Sequence, residues 1–127
     1  MTDPLRTTMN IAIIGSRTYK NLPNINILLS KLDPGQCTII SGAGKGVDTY
    51  AEKVAYKLGF DVDTYPPDWN RYGKSAGFKR NHDIIENACK VYAFWDGESK
   101  GTLHSIKLAE EKGIPVIIVR DVPLITR

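Results

Sequence analysis

Two cysteines and two histidines, scattered over 127 residues, are too few for a disulfide framework or a zinc set. Cys37 opens a predicted strand and Cys89 ends a predicted helix, so both read as small core residues. An excess of one charge is missing too. Seventeen basic residues against 14 acidic ones leave a net +3, too mild by itself to announce DNA or an anionic membrane. No apolar run approaches the roughly 18 residues of a spanning helix, and Met1-Thr2-Asp3-Pro4 lacks a charged-then-apolar leader pattern. The expectation is a soluble cytoplasmic protein with no metal, no cofactor and no membrane contact. Repeats, low-complexity tracts and long linkers are also absent. The length suits one domain over residues 1–127, with its core at about 10–119.

What the chain does have is alternation. Ile11-Ala12-Ile13-Ile14 is wholly apolar and ends at Gly15, the pattern of a strand buried on both faces. Pro23 suits a first helical turn, and Ile25, Leu28, Leu29 and Leu32 repeat at helical spacing until Pro34-Gly35. Cys37 to Ile40 is a second strand. Ala51, Val54, Ala55 and Leu58 share one face of a helix over Asp48 to Leu58, closed by Gly59 as a left-handed cap. A third strand, Asp61 to Tyr65, stops at Pro66-Pro67. Asp68 to Lys79 has no clean period and reads as a loop entering a helix at about Gly77 to Cys89, with Ile84, Ile85 and Ala88 inward. Val91 to Trp95 is a fourth strand, Thr102 the N-cap of a helix ending at Gly113, and Val116 to Val119 a fifth strand. Five buried strands separated by four helices require parallel crossovers. The expected class is α/β: a single Rossmann-like, doubly wound domain whose five-stranded, mainly parallel sheet runs 3-2-1-4-5 with helices on both faces. Ligands of such sheets sit outside the strand carboxyl ends, so the turns after strands one, two and four should be neighbours.

Those turns are rich in glycine. After strand two comes Ser41-Gly42-Ala43-Gly44-Lys45-Gly46-Val47-Asp48, a strand, glycine turn and helix start where backbone N–H groups can converge on an anion. It is not a Walker A loop, because Lys45 precedes Gly46 rather than a hydroxyl residue. It is not the dinucleotide fingerprint either, since Val47 stands where the third glycine belongs. The plainer alternative is a tight turn that needs positive φ.

Taken together, Gly15-Ser16-Arg17, the Ser41 to Asp48 turn, Asp68-Trp69 with Gly73-Lys74-Ser75-Ala76-Gly77-Phe78-Lys79-Arg80-Asn81, and Gly101-Thr102 resemble the SLOG superfamily, above all its small YspA-like members. Lonely-guy phosphoribohydrolases and the Rossmann-like core of DNA-processing protein A are related branches. The resemblance implies a Rossmann-like domain that binds a nucleotide or nucleotide-derived ligand at the strand carboxyl ends. Lonely-guy enzymes cleave an N-glycosidic bond with an arginine and a glutamate. Arg80 stands at the arginine position, but Ser105 lies three residues after Thr102 where the glutamate belongs, and Trp95-Asp96-Gly97 replaces the Pro-Gly-Gly opening. A cation-like transition state needs a carboxylate, so binding ranks above hydrolysis, with Arg80, Asp96 and Glu98 as the catalytic candidates.

The expected phosphate contacts are Gly15, Ser16, Arg17, Gly42, Ala43, Gly44, Lys45, Gly46, Asp48, Arg80, Asn81, Gly101 and Thr102. Arg17 and Arg80 suit bidentate neutralisation; the alternative for each is a surface arginine paired to an acid such as Asp48 or Asp83. Lys45 reads as an exposed charge near the site. Asp48 either caps the second helix or orders the glycine turn, and the Ser16 and Thr102 hydroxyls either bond phosphate or cap helices. Trp69 and Tyr72 are base-stacking candidates, with core cover or a subunit contact as the alternative. His82 and His104 have no evident orienting partner. The leading expectation is a sensor, carrier or sequestering protein for a mononucleotide, cyclic nucleotide or ADP-ribose-like molecule, working as a homodimer or higher homo-oligomer. An N-glycosidase acting on nucleoside monophosphates comes second. A single-stranded nucleic-acid module of the DNA-processing type, tracked by the basic, aromatic-bearing stretch of Lys74, Lys79 and Arg80 with Trp69 and Tyr72, comes third, because the low net charge speaks against nucleic acid as a partner.

Overall fold

The computed structural model describes residues 8–124. Five parallel strands, β1 (Met9–Gly15), β2 (Cys37–Ser41), β3 (Asp61–Thr64), β4 (Lys90–Trp95) and β5 (Val116–Arg120), form one sheet in the order β3-β2-β1-β4-β5. Between them run α1 (Pro23–Leu29), α2 (Val47–Lys57), the one-turn α3 (Trp69–Tyr72), a 3-10 turn (Gly73–Ser75), α4 (Ala76–Asn87) and α5 (Lys100–Glu111). Strand alternation splits β1 between two cores. Ile11 and Ile13 pack with Ile25 and Leu29 of α1 and Val47, Ala51 and Ala55 of α2 on one face. Ala12 and Ile14 meet Ile84 and Ile85 of α4 and Ile106 and Ala109 of α5 on the other. Helices cover both faces of the central strands β1, β2 and β4, which are mostly buried, whereas the edge strands β3 and β5 are mostly exposed, so the expectation of five buried strands holds only for the middle of the sheet. Among the described residues, no helix is long and apolar enough to cross a membrane.

The α/β class and the strand order agree with the sequence reading, and four local expectations need correction. The segment after Asp68 is not a loop. The Asp68 carboxylate accepts from the Arg71 N–H at 3.1 Å and starts α3, Gly73 turns the chain at φ +56, and α4 begins at Ala76. Three successive short elements, each a turn or less apart from α4, leave no single period to detect. Helix α1 stops at Leu29, because the Lys31 and Leu32 N–H groups bond three residues back and tighten the chain out of the α-helix; Leu32 still packs on the core. Ser99, not Thr102, caps α5: its Oγ accepts from the Thr102 N–H at 3.4 Å, and Thr102 is buried in the first turn. Cys37 is buried as expected, but Cys89 is exposed.

The order 3-2-1-4-5 means that the chain leaves β1 toward β2 and later returns to β1's other side as β4. The connections after β1 and β4 therefore diverge onto opposite faces, and a crevice opens between them at the strand carboxyl ends.

Candidate nucleic-acid interface

A cavity of about 510 Å³ occupies that crevice. Gly15, Arg17 and Thr18 line it from the turn after β1, and Asp96, Glu98 and Ser99 from the turn after β4. Gly101, Thr102 and Ser105 come from α5, Arg80, Asn81 and Ile84 from α4, and Asp48 from α2. The three turns meet as predicted. The Ser16 and Thr102 hydroxyls lie 3.4 Å apart, and the Asp96 N–H donates to Ser16 Oγ at 3.2 Å, so the turns after β1 and β4 are joined beneath the cavity. The glycine turn joins from the other side: a Cβ on Gly46 would come within 2.8 Å of the Arg17 carbonyl oxygen.

The glycine turn nevertheless directs its donors inward. The Gly44 N–H donates to Asp48 Oδ2 at 3.0 Å, the Ala43 N–H reaches Ser41 Oγ at 3.4 Å, and the Gly42 carbonyl accepts from Arg80 Nη1 at 2.5 Å. A Cβ on Gly42 would displace the Arg80 guanidinium. Of the expected phosphate contacts, Gly15, Arg17, Asp48, Arg80, Asn81, Gly101 and Thr102 line the cavity. Ser16 sits beneath it, whereas residues 42–46 frame it through Arg80 and Asp48 and are not in its wall. Lys45 is exposed. Asp48 orders the glycine turn, the second of its two expected roles. Arg80 is tied to a carbonyl and to Asn81 Oδ1 at 3.1 Å, not to Asp48 or Asp83. Arg17 is exposed, and its guanidinium has no hydrogen bond or ion pair among the described residues.

The carboxylates differ in kind. Asp96 accepts from Thr18 Oγ1 at 2.5 Å and from the N–H groups of Glu98 and Ser99 at 2.9 and 2.8 Å, which hold its pKa down at about 2. A group so engaged braces its turn and is a poor general acid. Asp48 is pushed up to about 6, first by burial, against the opposing Gly44 hydrogen bond and Arg80 charge, with Glu52 adding repulsion. Glu52 Oε1 is itself buried without a hydrogen-bond partner among the described residues. A carboxyl whose folded pKa lies above its unfolded one favours folding while protonated and opposes it once ionised. The native state therefore loses stability as pH rises from about 4 to 6, by roughly 3 kcal/mol in all. Asp48→Asn should flatten that slope and raise the urea midpoint at pH 7.5 but not at pH 4. A mutant with the wild-type pH profile would refute the assignment.

Thr18, Ser99, Ser105 and Phe78 were not singled out by residue-type reasoning. Thr18 and Ser99 lie in the turns already marked, but nothing in the sequence says that their polar atoms converge on Asp96. Phe78 packs edge-to-face on His104, centroids 4.8 Å apart, and His104 Nδ1 lies 3.3 Å from Asn81 Nδ2. Burial and the neighbouring His82 hold the His104 pKa below its ordinary value. Trp69 is 56% exposed and Tyr72 half-buried. Among the described residues, no group of three or more His, Cys, Asp and Glu side chains is placed to hold a metal ion.

The family model of DNA recombination-mediator protein A matches residues 2–64, the part that carries the turns after β1 and β2. The gene 61 protein of Mycobacterium phage D29 is 33% identical in a match covering 89% of this chain and 98% of that protein. The chain belongs to one family with that phage protein. Its fold is similar to that of DNA processing protein A from Helicobacter pylori, with a TM-score of 0.69 and 21% identity over 88% of this chain. The corresponding protein from Streptococcus pneumoniae gives a TM-score of 0.73 and 21% identity over 87%. This chain spans 65% and 50% of the lengths of those two solved chains. The Helicobacter protein is described for its single-stranded DNA binding mode.

The match to the recombination-mediator model, with these relatives, overturns two expectations. A free mononucleotide, cyclic nucleotide or ADP-ribose-like ligand is not what these relatives point to, and the argument against nucleic acid as a partner fails. A net charge of +3 averages over the whole chain, whereas residues 69–80 hold Arg71, Lys74, Lys79 and Arg80 and no acid, with Arg80 on the cavity wall.

Proposed function

We propose that this chain binds single-stranded DNA, with the sugar–phosphate backbone crossing the cavity at the carboxyl ends of β1 and β4. The observation that carries the reading is Arg17: an exposed guanidinium on the cavity wall with no partner among the described residues, facing a site whose other wall is the start of α5. An unpaired arginine fork suits two phosphate oxygens, and the first turn of a twelve-residue helix adds unbonded N–H groups and positive dipole. Kinship with DNA recombination-mediator protein A adds the polymer: many phosphates in series, not one. The concave shape admits an unpaired strand, whereas a duplex would present its phosphates across a far wider front. Binding, not bond cleavage, is the role assigned, since the Asp96 carboxylate is fully engaged in its own turn.

The test is fluorescence anisotropy of labelled oligothymidylate over a salt series, with a duplex of equal length alongside. The single strand should bind better. Its log affinity should fall linearly with log salt, with a slope of about −0.7 for each phosphate neutralised. Absence of binding at low salt, or preference for the duplex, would overturn the reading.

A further inference from the structure

We infer that Trp69 is a stacking platform for one unpaired base of the strand whose phosphates occupy the cavity. The inference rests on the single-strand reading above and adds to it the group that holds a base. Trp69 is 56% exposed, yet its segment is closed on both sides. Asp68 Oδ1 accepts from the Arg71 N–H at 3.1 Å, and Ser75 Oγ donates to the Tyr72 carbonyl at 2.7 Å. The indole rests against the first turn of α4, where a Cβ on Gly77 would lie 3.9 Å from its ring. Arg80, which lines the cavity, is one turn further along that helix. Arg80 and the aromatic face thus both lie along α4, one on it and the other packed against its first turn.

Tyr72 does not offer the same surface. The Arg71 guanidinium lies 5.2 Å from its ring centroid and the Lys79 ammonium 6.0 Å away, so this ring serves to hold cations. The occupant follows from charge. The stretch from Trp69 to Arg80 has four basic residues and no acidic one, and of these only Lys79 is ion-paired among the described residues, to Asp83 at 2.6 Å. A second copy of the same surface would be repelled, whereas a strand of phosphates bearing flat apolar bases is complementary in both respects.

The experiment compares oligothymidylate with an abasic deoxyribose-phosphate oligomer of equal length, using wild type, Trp69→Ala and Trp69→Phe, each checked by thermal melting. Removing the indole should weaken oligothymidylate binding roughly ten- to hundredfold and leave the abasic oligomer within about twofold of wild type. Phenylalanine should restore most of the affinity, and the salt dependence should not change. If Trp69→Ala binds oligothymidylate as wild type does, or loses both oligomers equally, stacking is overturned while the cavity reading stands. If wild type binds neither oligomer, the cavity reading falls and stacking falls with it.

Discussion

Arg17→Glu should lower affinity for a single strand at least a hundredfold while leaving the unfolding midpoint unchanged. Arg17 is exposed and unpaired among the described residues, so its removal strands no buried group and breaks no contact that holds the fold. Its loss would remove a hydrogen bond to a charged phosphate, worth roughly 1.5–3 kcal/mol, and the new carboxylate adds repulsion where attraction had been. Together these exceed the roughly 2.7 kcal/mol that corresponds to a hundredfold change. Arg17→Lys should fall between, since an ammonium keeps the charge but not the two-pronged geometry. Arg80→Ala makes the instructive contrast. It leaves the Gly42 carbonyl without its partner, so affinity and stability should drop together. Anisotropy at two salt concentrations and urea unfolding of the three variants separate the cases. An Arg17→Glu protein that binds like wild type would remove the observation on which the functional reading stands.

The sheet was legible because its signals are local and redundant. Ile11 to Ile14 is buried on both faces and apolar throughout, and Gly59, at φ +88, ends the second helix where the pattern stops. The gathering of the three turns was legible as well, since it follows from topology. What residue types did not disclose is the direction of individual polar groups. Gly44 reads as a donor for a ligand, yet its N–H serves Asp48. Thr102 reads as a cap, yet the helix starts two residues earlier and Ser99 caps it by accepting from the Thr102 N–H. The basic, aromatic-bearing stretch from Trp69 to Arg80 was legible too, and the low whole-chain charge is the wrong weight to set against it: four cations and three exposed or half-buried rings fall in one short helical segment whose Arg80 lines the cavity.

The cavity combines an attractive rim with a resistant floor. Arg17 and the start of α5 invite phosphate, while Asp48 and Glu52 place carboxyl groups behind the glycine turn. Ionised Asp48 disfavours both the folded chain and an anion nearby. DNA affinity and stability should therefore both rise as pH falls through about 6, and Asp48→Asn should remove Asp48's share of each.

Gly46→Ala is expected to be among the most damaging single-methyl additions in the chain, destabilising it by about 3 kcal/mol and weakening single-strand binding as well. Gly46 has φ +75, where a side chain is strained by roughly 1–2 kcal/mol on backbone grounds alone. Its added Cβ would also stand 2.8 Å from the Arg17 carbonyl oxygen and 2.9 Å from the Arg17 Cα, both main-chain atoms that cannot swing aside. Relief requires the turn after β1 to move, and that turn carries the Arg17 guanidinium to the cavity. Gly59→Ala supplies the control. Its φ of +88 is as unfavourable, but nothing lies within 4 Å of the new methyl, so it should cost only the backbone strain and leave DNA affinity alone. The excess loss of Gly46→Ala over Gly59→Ala in urea unfolding measures how tightly the two turns are pressed together. Equal losses would mean that the turn after β1 yields freely, and that Arg17 is not positioned by the glycine turn behind it.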